Sequence, residues 1–140
     1  MADEIIIRRC SEADIESVLE LWRVADATAS VTDTSQDLRA VVDSELSSIL
    51  IAESGGRIVG SIIGAFNGWR GNIYRLAVHP DQRRRGIARR LLSEVEEWLR
   101  GQGAKRVGAV VEKDHPWATG FWDSTEFQLE PLDLRYVRDL

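Results

Sequence analysis

The sequence predicts one α+β domain, a mixed α/β fold around a mostly antiparallel sheet, and three observations carry that prediction. β-Branched runs of strand length alternate with segments whose apolar residues recur every three or four positions. Three strand-like runs, at 49–53, 57–66 and 73–78, follow one another across glycine turns, as a meander does. The third leads through a short loop into an amphipathic helix and then to another small apolar run, the pattern of a β-α-β crossover. A length of 140 residues suits a single hydrophobic core, and contents of 44% apolar and 29% charged residues are ordinary for a globular chain. The domain is therefore expected to span residues 1–140.

Ile5, Ile6 and Ile7 make the first strand. Ser11 with Asp14 three residues later is a helix-start pair, and Ile15, Val18, Leu19 and Trp22 then keep helical spacing, which predicts a helix over 12–25. Residues 26–37 are rich in Ser, Thr and Asp without such a period and read as a loop or broken helix. Leu38, Val41, Val42 and Leu46 suggest a second short helix. Ser54-Gly55-Gly56 and Asn67-Gly68 with Gly71 supply the two turns of the meander. Ile87, Leu91, Leu92, Val95 and Leu99 define the best-marked helix, with Gly101 and Gly103 as its stop. Residues 106–111 read as a strand covered on both faces and parallel to the one ending at Val78. Residues 117–124 are expected to form a last short helix, and 134–137 a last strand.

Composition narrows the function. The longest apolar runs fall far short of the roughly 20 residues that cross a bilayer. Asp3 and Glu4 pass at once into a strand-like run, without the basic region and long apolar stretch of a secretory signal, so a cytoplasmic location is expected. Cys10 is the only cysteine, which excludes an internal disulfide and zinc sites built from paired thiolates, and it reads as a buried, inert thiol. A net charge of −5 opposes a general nucleic-acid binder, which spreads positive charge over a face. Yet Arg83, Arg84, Arg85, Arg89 and Arg90 crowd one short stretch, and such a cluster on an acidic chain points to a small anionic ligand.

That stretch joins the end of an apolar strand to the start of an amphipathic helix. The first N–H groups of a helix have no partner within it and lie at the positive end of its dipole, so the junction is suited to an anion. Gly86 lets the backbone approach a phosphate without a Cβ in the way, and the small Ala88 keeps the approach open. Neither a P-loop nor a three-glycine dinucleotide loop is present.

Arg83-Arg84-Arg85-Gly86-Ile87-Ala88, preceded by Leu76-Ala77-Val78-His79-Pro80, resembles the acetyl-CoA signature of the GNAT superfamily of N-acetyltransferases. Residues 118–127, with Ala118, Phe121-Trp122 and Phe127, are similar to that family's C-terminal motif, and the order of elements is similar along nearly the whole chain. The resemblance implies a three-layer fold, a central mostly antiparallel mixed sheet with helices on both faces. It implies an acetyltransferase that moves the acetyl group of acetyl-CoA directly to a primary amine of a small molecule or protein. Cofactor binding is implied at Leu76, Ala77 and Val78 for the pantetheine arm, and at Arg83, Arg84, Arg85, Gly86, Ile87 and Ala88 for the diphosphate. The strand ending at Val78 and the one near 107–111 are implied to splay apart around the arm.

Two positions depart from the family's pattern. Trp122 stands where a proton-donating Tyr is common, and an indole N–H can donate a hydrogen bond but cannot usefully give up its proton. Trp122 is therefore expected to steady the sulfur or line the cofactor. Asn72 stands where many relatives carry Glu, which leaves Glu112 and Asp114 as candidate bases, with His79 and His115 behind them. On the acceptor side, Asp26, Asp33 and Asp37 could attract a cationic amine, and Trp22, Trp69 and Trp117 could wall its pocket. The expected partner is a small-molecule or protein amine, without nucleic acid, membrane or metal; a homodimer stays open. A second reading, a CoA-binding sensor or partner module with little catalysis, is motivated by the same Trp122 and Asn72.

Overall fold

The computed structural model describes residues 3–140. The elements run β1 (Ile5–Arg9), α1 (Ile15–Val24), α2 (Ser35–Asp43), β2 (Ser47–Ser54), β3 (Arg57–Phe66), β4 (Gly71–Val78), α3 (Ile87–Gln102), β5 (Val107–Ala109) and α4 (Pro116–Asp123). One sheet is formed in the order β1-β2-β3-β4-β5, antiparallel through β4 and parallel between β4 and β5. The mostly antiparallel mixed sheet is the one expected. The residues group into two compact units, Met1–Val110 and Val111–Leu140, so the sheet and α1–α3 belong to the first and α4 to the second.

Side chains alternate across a strand, and the two faces of the sheet meet different helices. Ile49, Ile51, Ile63 and Ala77 pack in one buried cluster with Ile15, Val18, Leu21 and Trp22 of α1 and Leu38 of α2. Burying each such aliphatic side chain contributes about 1.5–3 kcal/mol. The alternate positions face α3. A Cβ added at Gly60 would lie 2.9 Å from Ile87 Cγ2, and one at Gly64 would lie 2.5 Å from Val95 Cγ2. Bare backbone at these two positions lets α3 lie close against the sheet, so its first turn is set beside the end of β4. Layers of helix, sheet and helix result, as expected.

An ion-pair group ties β1 to its neighbours. Arg8 donates to both carboxylate oxygens of Asp14, at 2.8 and 2.9 Å, and to Glu53 of β2 at 3.0 Å. The bonds from Arg8 hold the Asp14 carboxyl well below the usual carboxylate range, with burial opposing and the Ser11 bonds assisting. A carboxylate whose folded value is depressed stabilises fully above its unfolded value of about 3.9, and that contribution is lost as pH falls towards the folded one. Acid titration of the unfolding midpoint is expected to show this loss below about pH 4. Asp14→Asn is expected to flatten that dependence and to lower stability by about 1–3 kcal/mol at neutral pH.

Three expectations need correction. The predicted first helix begins as a 3-10 turn at Glu12–Asp14 and becomes α-helical only from Ile15, with Asp14 bonding back to Ser11. β5 covers only Val107–Ala109 and is not enclosed on both faces: it lies at the edge of the sheet, and Gly108 and Val110 are exposed. The strand expected at 134–137 does not form. Leu134, Tyr136 and Val137 are 82%, 89% and 75% exposed, and among the described residues 134–137 enter no backbone ladder. Alternating apolar residues favour a strand only when a neighbouring strand supplies the ladder.

Candidate functional site

The junction between β4 and α3 is built as the sequence suggested. His79 closes β4 with its N–H on Val59 C=O at 2.8 Å, and its Nδ1 accepts from Asp81 N–H at 3.1 Å, capping a 3-10 turn at Pro80–Gln82. Arg84 and Gly86 follow with positive φ, +67° and +76°. Gly86 is the N-cap of the 16-residue α3 and brings no side-chain oxygen to the N–H groups that open it. A Cβ placed there would meet nothing within 4 Å. The start of a long helix, an uncapped N-terminus and open space above a left-handed glycine together fit a diphosphate.

The arginines divide into two roles. Arg85 is turned back onto Ser54 Oγ at 3.3 Å, Gln82 and the Asp3 carbonyl, and Arg90 reaches Ile5 C=O at 2.9 Å. These two hold the loop and α3 to the sheet edge. Arg84 and Arg89 stay exposed at the loop and first turn. Arg83 Nε donates to Val78 C=O at 3.2 Å. Burial pulls the Arg83 guanidinium below its usual pKa, and Asp26 at the end of α1 opposes that shift.

Along β4, pairing with β5 stops early. The ladder joins Gly71, Asn72 and Ile73 to Val107, Gly108 and Ala109, and one further bond runs from Val110 N–H to Ile73 C=O at 3.2 Å. From Tyr74 to Val78, among the described residues, the only strand neighbour is β3. Leu76, Ala77 and Val78 therefore lie on a stretch with one edge that has no strand partner among the described residues, the arrangement an extended amide-bearing arm needs, although Arg83 already bonds the Val78 carbonyl. Asn72 lies outside this stretch, in the fully paired part between Ala65 and Gly108. Between Ser61 and Ile63 the β3–β4 register shifts, and Arg75 there takes φ +54°, a bulge. Ser61 Oγ accepts from Trp22 Nε1 at 2.9 Å and donates to Arg75 C=O at 2.8 Å, fixing the bulge from inside the core.

The acceptor-side residues do not gather as expected. Asp26 is exposed at the end of α1 with φ +60°. Asp37 caps α2 with Thr34, and Asp33 is held by Arg75. Trp22 is no pocket wall: it is 3% exposed, bonded to Ser61 and covered by the Arg75 guanidinium 4.9 Å from its ring centre. Trp69 is 70% exposed in the β3–β4 turn, with Arg70 stacked on its ring at 4.1 Å. Arg70 of the turn and residues 71–74 of β4 lie between it and Arg75, about 20 Å of extended chain, so it does not join Asp26 and Trp22. The sequence reading missed Ser61 and Arg75. A hydroxyl at a core-facing position of β3, whose residues 58–66 are otherwise apolar or glycine, was the available signal.

The sequence model of the acetyltransferase (GNAT) family matches residues 15–127, most of the chain. The chain belongs to the acetyltransferase (GNAT) family. Among its relatives, an acetyltransferase of Pectobacterium atrosepticum is 34% identical over 87% of this chain and 86% of its own length. One of Sodalis glossinidius is 33% identical over 95% and 96%. The PaiA N-acetyltransferase of Thermoplasma acidophilum, solved with coenzyme A, shares the fold at a TM-score of 0.81 and 19% identity over 93% of both chains. An aminoglycoside N-acetyltransferase solved with CoA does so at 0.78 and 15%, over 100% of this chain and 98% of that one. This GNAT chain is an acetyl-CoA-dependent N-acetyltransferase.

The C-terminal unit of the GNAT chain carries the remaining candidates. Trp122 is buried, edge-on to Phe121 at 5.5 Å and to Phe127 at 4.9 Å. Trp117 stacks on Phe121 with centroids 6.1 Å apart. His115 caps α4, its Nδ1 accepting from Ala118 N–H at 3.3 Å. Glu112 is half-buried in the turn before α4, where its carbonyl accepts from His115 N–H at 3.3 Å, and Asp114 is exposed beside it. Among the described residues no group of three or more His, Cys, Asp or Glu is arranged to hold a metal, and no helix is long and apolar enough to cross a membrane.

Proposed function

We propose that the acceptor is a primary amine of a small molecule and that the diphosphate of acetyl-CoA is held at the start of α3. The observation that carries this placement is Gly86, left-handed at φ +76° over open space at the N-terminus of α3. The backbone N–H groups of Arg84 to Ala88 hold the diphosphate, and exposed Arg84 and Arg89 add charge around it. Leu76, Ala77 and Val78 offer main-chain groups to the pantetheine amides, with Arg83 yielding the Val78 carbonyl. Bound acetyl-CoA supplies the thioester carbonyl that the amine attacks, forming the amide and releasing a thiol. Asp26 draws the cationic amine, which must lose a proton before attack, and Glu112 is the proposed base. The small-molecule class is supported by a structural neighbour described as an aminoglycoside acetyltransferase in complex with sisomicin.

Thiol release over a panel of amines, set beside acetyl-CoA affinity from calorimetry, tests the reading. Micromolar binding with release never above background would replace it with a CoA-sensing module. Trp122→Tyr is expected to raise kcat, because a phenol can supply the proton an indole cannot, and a general acid is worth about 10²–10⁴-fold. A fall in kcat, with Trp122→Phe falling equally, would assign the indole N–H itself a role.

A further inference from the structure

Arg75 combines features that packing alone does not require. It is a non-glycine residue held left-handed at φ +54° in the β4 bulge, at the start of the stretch where β4 has no β5 partner. Its guanidinium lies over the Trp22 ring and reaches two points of the α1–α2 loop. Nη2 donates to both carboxylate oxygens of Asp33, at 2.8 and 3.0 Å, and Nη1 donates to Thr28 C=O at 3.0 Å. Both charged side chains are only 19% exposed. Asp33 in turn organises its own loop: its carboxylate accepts from Ser30 N–H at 3.1 Å, and its N–H returns to Ser30 C=O at 3.0 Å. The bond from Ser61 to the Arg75 carbonyl fixes the backbone from which this clamp extends.

An extended arm that starts at Gly86 and runs back along the free edge of β4 ends nearest Tyr74 and Arg75. The loop clamped by Arg75 thus borders the place where the acyl group is delivered. We infer that Arg75 is a positioning residue for the acceptor: by gripping Asp33 and Thr28 it fixes the 26–34 loop, with Asp26 on it, against the reacting end of the site. This rests on the proposed placement of the cofactor. Asp33 thereby serves Arg75 and is not a partner for the amine, and acceptor selectivity belongs to the loop's exposed positions.

Three variants test it: Arg75→Met, which removes the charge; Arg75→Lys, which cannot reach both anchors while covering Trp22; and Asp33→Asn. Each is measured for acceptor KM and kcat, acetyl-CoA Kd, and amide hydrogen exchange over 27–34. The expected result is an acceptor KM raised about 10-fold or more, a Kd within about 2-fold of the parent, and faster exchange confined to the loop. The double variant Arg75→Lys with Asp33→Asn should be no worse than the more impaired single one, since both break one interaction. Unchanged exchange overturns the clamp, and faster exchange with unchanged acceptor KM overturns its role in positioning. If Arg75→Met fails to fold, Arg75→Lys and Asp33→Asn decide. A parent protein that binds acetyl-CoA but acetylates no amine overturns the acceptor reading, while the exchange data still judge the clamp separately.

Discussion

Gly86→Glu is expected to abolish acetyl-CoA binding while leaving the fold standing. The new Cβ has nothing within 4 Å to strike, and the left-handed backbone at φ +76° costs an L side chain only about 1–2 kcal/mol. A carboxylate at a helix N-terminus even returns about 0.3–1 kcal/mol through the helix dipole. What it removes is the vacancy for a second anion, placing bulk and negative charge where the diphosphate belongs. Calorimetry should show the Kd rising by roughly 100-fold or more, which is about 2.7 kcal/mol. Gly86→Ala separates strain from charge, and its loss should be far smaller. Unchanged affinity in the Glu variant would move the diphosphate away from α3 altogether.

The largest expected loss of stability comes from Gly64→Val. The first carbon of the new side chain would already stand 2.5 Å from Val95 Cγ2 and 3.4 Å from the Trp98 ring, before either methyl is counted. Overpacking of a close-packed core costs about 1–3 kcal/mol in ordinary cases, and a contact between two stiff β-branched side chains lies at or beyond the upper end. The denaturation midpoint should fall accordingly, and acetyl-CoA affinity should fall with it, because the clash at Val95, in the middle of α3, can be relieved only by shifting the helix whose first turn lies beside the end of β4. Shortening Val95 to Ala should restore much of the loss in the milder Gly64→Ala. Full stability in Gly64→Val would mean that α3 does not pack where it is described.

What the sequence made legible follows from how local each cause is. α3 and its loop could be read because helical period, a stop at Gly103 and the left-handed Gly86 are all written within one short stretch. The capping of α2 by Thr34 and Asp37 is equally local, since the two stand three residues apart at the helix start, and it accounts for Asp37 without any acceptor. Asp33 is different. Its partner Arg75 lies 42 positions away, and no spacing in the chain announces the pair. Trp22 and Trp69 look alike as letters, but one meets Ser61 across the core and the other sits on an open turn, so their fates depend on the assembled sheet. The 134–137 segment shows the converse: alternation was present, and the neighbour that would make it a strand was not.

Cys10 also governs how the reaction can be watched. Its sulfur is buried and donates to the Ser11 carbonyl, and burial, with Asp14 adding, pushes the thiol pKa up to about 11. Thiolate is the form that attacks a disulfide reagent, so at neutral pH this sulfur stays silent while released coenzyme reacts freely. A colorimetric disulfide reagent should therefore report product alone from the folded enzyme, and the late appearance of one extra equivalent would time the loss of native packing around the α1 layer.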